Sequence, residues 1–121
     1  MKILVADDEQ SIVDLLEDYL TTAGHTVSSA YDADSLVKLV EEDAPDLIFM
    51  DINMPGIRDD GRSPAIQLPA ALKDIPVVAV TGNEKKKVYQ MGLPQNIEVM
   101  PKPINFADVD LILAKYAPPQ E

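Results

Sequence analysis

Short apolar runs alternate along the chain with stretches in which apolar residues recur every three or four positions. The runs are ILVA (3–6), TVSSA (26–30, the weakest), LIFM (47–50), VVAV (77–80) and IEVM (97–100). Three of them are continuous and largely β-branched, the pattern of strands buried on both faces of a parallel sheet. The first helical stretch places Ile12, Leu15, Leu16, Tyr19, Leu20 and Ala23 on one side with charges opposite, and Gly24 ends it. A second is predicted over 33–43, with Leu36, Val37, Leu39 and Val40 apolar and Pro45 beyond its end. The last covers 106–117, with Asn105 as N-cap and Phe106, Val109, Ile112, Leu113 and Tyr116 as its buried stripe.

Two segments are less regular. Residues 55–62 read as a turn-rich loop, after which Ser63-Pro64 has the form of an N-cap with proline in the first helical position. Pro69 follows too soon for a continuous helix, because it lacks an N–H and its ring clashes with the preceding turn. The third helix is therefore expected to be broken there, or to restart at Pro69 and be short. A fourth short helix is expected over 84–92, with Asn83 as cap and Gly92 as stop. Strand and helix thus alternate five times, which argues for a single α/β domain with a parallel sheet and helices on both faces. The domain is expected to fill 1–121, with 119–121 either a tail or the start of a linker.

Composition narrows the chemistry. The 121 residues contain no cysteine and one histidine, His25. This removes disulfides, thiolate metal sites and cysteine nucleophiles, and leaves almost no material for a Ser-His-Asp triad. His25 reads as an exposed turn residue at the wrong end of the sheet for catalysis. The formal net charge of −11 disfavours contact with nucleic acid by this domain and suits hard cations. No apolar run has the ~20 residues needed to cross a membrane, and the start of the chain is too short in apolar residues and too acidic for an export signal, so a cytoplasmic location is expected. Lys85, Lys86 and Lys87 form a basic run that reads first as a solvated helix face, and otherwise as a docking or dimer surface.

The positions of the polar residues say more than their number. Asp7 and Asp8 follow the first predicted strand, Asp51 the third, Thr81 the fourth and Lys102 the fifth. In a parallel sheet all these strand ends share one edge, where ligands bind. Any one polar residue after a strand is ordinary; an acid pair, a further acid, a hydroxyl and an amine arriving together are not. Crowded carboxylates repel one another, and a divalent cation relieves that repulsion. A site of this kind suits Mg²⁺ and phosphoryl transfer, in which the protein supplies placement and charge neutralisation. Asp51 would be the nucleophile, already ionised and needing no base. Mg²⁺ would sit on Asp8 and Asp51, Lys102 would pair with a phosphoryl oxygen, and the Thr81 hydroxyl would donate to another.

These residues resemble the receiver domain of two-component response regulators, of the chemotaxis-regulator type. The resemblance lies in ILVADDE with Asp7-Asp8, LIFMDINMPG with Asp51, VVAVTG with Thr81, and MPKP with Lys102-Pro103, and it covers roughly 2–117. It implies a flavodoxin-like, doubly wound five-stranded parallel sheet in the order 2-1-3-4-5 with five helices. It implies phosphorylation of Asp51 by a sensor histidine kinase or phosphotransfer protein, and a conformational switch through Thr81. It implies Mg²⁺, with Mn²⁺ as a substitute, held by Asp7 (through water), Asp8, Asp51 and the backbone carbonyl of Asn53. Gly82 matches the small residue that leaves room for the phosphoryl group, and Lys102-Pro103 would be cis. Asn53 and Asn83 flank the expected water path and would tune hydrolysis. The output would be a downstream protein or a fused domain, with a phosphorylation-dependent homodimer as a further expectation. Such a protein is a phosphoacceptor switch rather than an enzyme.

Three features depart from the family pattern. The MPGIRDDG loop is two residues longer than usual, the third helix carries Pro69, and Val99 stands where an aromatic residue ordinarily couples to the switch threonine. They leave room for a receiver-like interaction module that is no longer phosphorylated. A dehalogenase-like phosphatase would need a second acid at 53, which is asparagine. A flavin carrier would need a phosphate loop where the acidic ADDEQ stands.

Overall fold

The computed structural model describes residues 1–54, 57, 69–82, 85–90, 92–94 and 97–116. Five strands form one sheet: β1 (Lys2–Ala6), β2 (Thr26–Ala30), β3 (Leu47–Asp51), β4 (Val77–Thr81) and β5 (Glu98–Pro101). Their spatial order is β2-β1-β3-β4-β5, and every neighbouring pair is parallel. The helices among the described residues are α1 (Gln10–Thr22), α2 (Ala33–Glu42), α3 (Lys85–Gln90) and α4 (Phe106–Tyr116), with a single 3₁₀ turn at Ala70–Leu72.

Alternation within each strand builds two cores. Ile3 and Val5 of β1, Leu47 and Phe49 of β3, and Val78 and Val80 of β4 point to one face, where α1 supplies Val13, Leu16 and Leu20 and α4 supplies Val109, Ile112 and Leu113. Leu4, Ala6, Ile48, Met50, Val77 and Ala79 point to the other, against Leu36 and Val40 of α2, Leu72 of the 3₁₀ turn and Val88 of α3. Every residue of β3 and β4 is buried, as their unbroken apolar runs require. β2 and β5 lie at the sheet edges, and their alternating or partial exposure explains why their sequences are weaker.

Local signals set the helix ends. Gly24 has φ 98°, its N–H donates to the Thr21 carbonyl, and the His25 N–H donates to the Leu20 carbonyl, which closes α1 in a Schellman arrangement that few side chains other than glycine tolerate. α2 opens with a capping box: the Ser35 N–H donates to Asp32 Oδ1 at 2.8 Å, and the Asp32 N–H donates to Ser35 Oγ at 3.3 Å. α4 opens on Asn105, whose Oδ1 accepts from the Ala107 N–H at 2.8 Å, as its sequence predicts. The short helical piece expected at Pro69 is the 3₁₀ turn that begins one residue later; the Ser63-Pro64 start and Asn83 lie outside the described residues. His25 is half-buried rather than exposed, because its Nδ1 meets the chain's amino terminus at 3.1 Å.

Candidate functional site

All strands run in one direction, so their C-terminal ends deliver Asp7-Asp8, Asp51, Thr81 and Lys102 to one rim of the sheet. Asp7 and Asp51 belong to adjacent strand ends and are held by the same local device. Asp7 Oδ1 accepts the N–H of Glu9 at 2.9 Å, and Asp51 Oδ1 accepts the N–H of Asn53 at 2.9 Å. Each carboxylate thus spends one oxygen on the backbone two residues ahead, an Asx turn. Each directs Oδ2 at the same ammonium: Lys102 Nζ is 3.2 Å from Asp7 Oδ2 and 3.3 Å from Asp51 Oδ2. The Lys102 N–H donates to the Thr81 carbonyl at 2.8 Å, which fixes the lysine beside the end of β4. Thr81 is fully buried, and the Lys102-Pro103 bond that follows is cis, as the resemblance implies.

The three acids form a compact oxygen cluster. One carboxylate oxygen from each of Asp7, Asp8 and Asp51 lies within 4.8 Å of the others, with Asp8 exposed and the other two buried. Burial, with the negative charge of Asp51 as a smaller contribution, pushes the Asp7 carboxyl up to about 6, against the opposing pull of the Glu9 N–H and Lys102. Burial also works against the charge of Lys102, but the Asp51 and Asp7 carboxylates outweigh it and hold the ammonium above its ordinary range. Asp7 Oδ2 is buried and, despite its proximity to Lys102, receives no well-aligned hydrogen bond among the described residues. A crowded set of hard oxygen donors, carrying more negative charge than the one ammonium beside it neutralises, fits a divalent cation.

Other expected residues fall around this cluster. The Asn53 backbone sits directly after β3, tied to Asp51. Gly82 is exposed, and a Cβ placed there would meet nothing within 4 Å, so the space beside it is open. Val99 of β5 is half-buried, lies in register with Ala79 of β4 and packs against the core on the α3 side of the sheet, where the Tyr89 hydroxyl donates to the Ile97 carbonyl at 2.7 Å. The sequence reading missed Glu9, whose Oε1 lies 3.6 Å from Lys102 Nζ. The only available signal was a third acid directly after the Asp pair. The basic run at 85–87 lies in α3.

Comparison with known proteins agrees with this geometry. Residues 3–114 match the response regulator receiver domain. The chain is 34% identical over 110 residues to the alkaline phosphatase synthesis transcriptional regulatory protein PhoP of Bacillus subtilis, which covers 90% of this chain and 45% of that protein. It therefore spans less than half the length of that relative. Among solved structures, the receiver domain of NtrX from Brucella abortus superposes with a TM-score of 0.68 at 29% identity, covering 94% of this chain and 96% of that one. The chemotaxis protein CheY4 of Vibrio cholerae shares the fold with a TM-score of 0.76 at 24% identity, covering 95% and 97%. A match over nearly the whole chain, with the Asp cluster intact and able to hold a divalent cation of the kind receiver domains use, makes this chain a member of the response regulator receiver domain family, whose members are phosphoacceptor switches rather than turnover enzymes.

Proposed function

We propose that the phosphoryl group is accepted by Asp51. The observation that carries this reading is that Asp51 reaches both the acid cluster and Lys102 from the end of a fully buried central strand. One oxygen of the Asp51 carboxylate attacks phosphorus, the bond from phosphorus to a donor histidine nitrogen breaks, and that nitrogen keeps the electron pair and is protonated from solvent. Asp7, Asp8, Asp51 and the backbone carbonyl of Asn53 would hold Mg²⁺, which when bound neutralises charge on the phosphoryl oxygens. Mn²⁺ is expected to substitute.

The chain's own residues do the rest. Burial keeps the Asp51 carboxylate in place, and the Asn53 N–H orients it. Lys102, already adjacent to Asp51, pairs with a phosphoryl oxygen, and the Thr81 hydroxyl donates to another. Gly82 leaves the approach open, and Asn53 and Asn83 set the access of hydrolytic water. The new charge of about −2 draws Thr81 and Lys102 inward and biases the segment after β4 between two arrangements. With Val99 on β5, this bias passes through Thr81 and α3.

Residues 1–121 are read as one receiver unit. The family implies a histidine kinase or phosphotransfer protein as partner, and the greater length of the PhoP relative supports a fused output domain as one route for the signal. A phosphorylation-dependent homodimer is another. No helix among the described residues is long and apolar enough to cross a membrane, and a cytoplasmic site of action is proposed. The test is labelling by a small acyl phosphate in Mg²⁺: the wild type gains one phosphoryl group and Asp51→Asn gains none. Full, acid-stable labelling of Asp51→Asn would refute the assignment.

A further inference from the structure

Lys102 has a third carboxylate neighbour that the mechanism above does not use. Glu9 Oε1 stands 3.6 Å from Nζ, beside Asp7 Oδ2 at 3.2 Å and Asp51 Oδ2 at 3.3 Å. The Glu9 side chain is 60% exposed, so it reaches the ammonium from the solvent side of the crevice. Glu9 is also the N-cap residue of α1, a position where a side-chain oxygen ordinarily accepts from the first turn of the helix, and it forms no such bond. Its backbone N–H is committed to Asp7 Oδ1. The backbone of Glu9 is thus fixed against one carboxylate of the cluster while its side chain, free of the helix, leans across to the lysine. Glu9 does not belong to the group of acids whose oxygens gather for a cation.

We propose that Glu9 is a positioning residue for Lys102: its carboxylate holds the ammonium on the β1 side of the crevice and so weakens the grip of the lysine on a phosphoryl group at Asp51. This inference rests on Lys102 being the cationic partner of that group. With a phosphoryl group on Asp51 its carboxylate no longer faces the ammonium as a free anion, Asp7 would be engaged in holding Mg²⁺, and Glu9 remains, among the described residues, as a competitor for the ammonium. The strength of that competition is that of one solvent-exposed ion pair, so its removal changes affinity about two- to fivefold.

The test uses the full chain with saturating Mg²⁺ at low ionic strength, and titrates the beryllofluoride anion, a phosphoryl mimic, by calorimetry. Glu9→Gln binds the anion about two- to fivefold more tightly than the wild type. Glu9→Asp keeps the charge but is one methylene shorter, and an aspartate at this position can cap α1 instead. It therefore binds like Glu9→Gln if the contact with Lys102 matters. Wild-type affinity in Glu9→Asp beside tighter binding in Glu9→Gln would show an effect of charge at a distance and overturn the proposal, as would unchanged or weaker binding in Glu9→Gln. If the wild type binds no beryllofluoride, the reading of the site itself falls, and this inference falls with it.

Discussion

Asp7→Asn is expected to make the metal-free protein more stable at neutral pH and to leave it nearly unchanged in acid. The Asp7 carboxyl is raised from the usual 3.8 to about 6, chiefly by burial. Between those two values the folded state holds a proton that the unfolded chain has lost. Stability from this group is therefore complete below about pH 4, declines as pH rises through the window, and is lost above about pH 6. The full displacement corresponds to on the order of 3 kcal/mol at pH 7.5. Asparagine removes the buried charge and keeps an Oδ1 for the Glu9 N–H, but it turns an amide toward Lys102 and forfeits the pair at 3.2 Å. The net gain is accordingly about 1–2 kcal/mol, a rise in Tm of roughly 3–8 °C for a chain of this size. The assay is thermal unfolding of both proteins in chelator at pH 4 and pH 7.5, read as the difference between them. A variant that loses as much stability at pH 7.5 as at pH 4 would refute the claim that Asp7 is strained by burial.

Other consequences are separable from this one. Mg²⁺ should raise the Tm of the wild type more at pH 7.5 than at pH 5.5, because protons compete for Asp7 in the lower range, and Asp7→Asn should lose most of that response. Asp32→Ala removes the capping box of α2 and should cost about 1 kcal/mol in urea unfolding, with the acid cluster and its Mg²⁺ response intact. Leu36→Ala empties a fully buried position between α2 and the sheet and should cost about 2–5 kcal/mol by the same measurement.

Much of the molecule was legible in its residues because burial imposes pattern. β3 and β4 are enclosed on both faces, so LIFM and VVAV could hardly be anything else. The convergence of Asp7, Asp8, Asp51, Thr81 and Lys102 followed from strand direction alone. What escaped were contacts whose partners are far apart in sequence or whose signal is short. The pair of Glu9 with Lys102 links the ends of β1 and β5, which only the folded sheet brings together. The box between Asp32 and Ser35 lacks the glutamate or glutamine that usually marks one at its third helical position. The partial burial of His25 has no mark in the sequence, because its partner is the amino terminus, which carries no side-chain signal. The weak TVSSA run is the strand its place in the alternation predicts, its polarity explained by its position at the sheet edge.

The central claim is that one carboxylate, Asp51, takes the phosphoryl group. It is tested most directly by labelling the protein with a small acyl phosphate in Mg²⁺, reducing the product with borohydride and sequencing the peptides by mass spectrometry. Reduction of an aspartyl phosphate converts that residue to homoserine, and the account predicts homoserine at position 51 alone. Homoserine at position 7 or 8, or a label that survives reduction on another side chain, would contradict it.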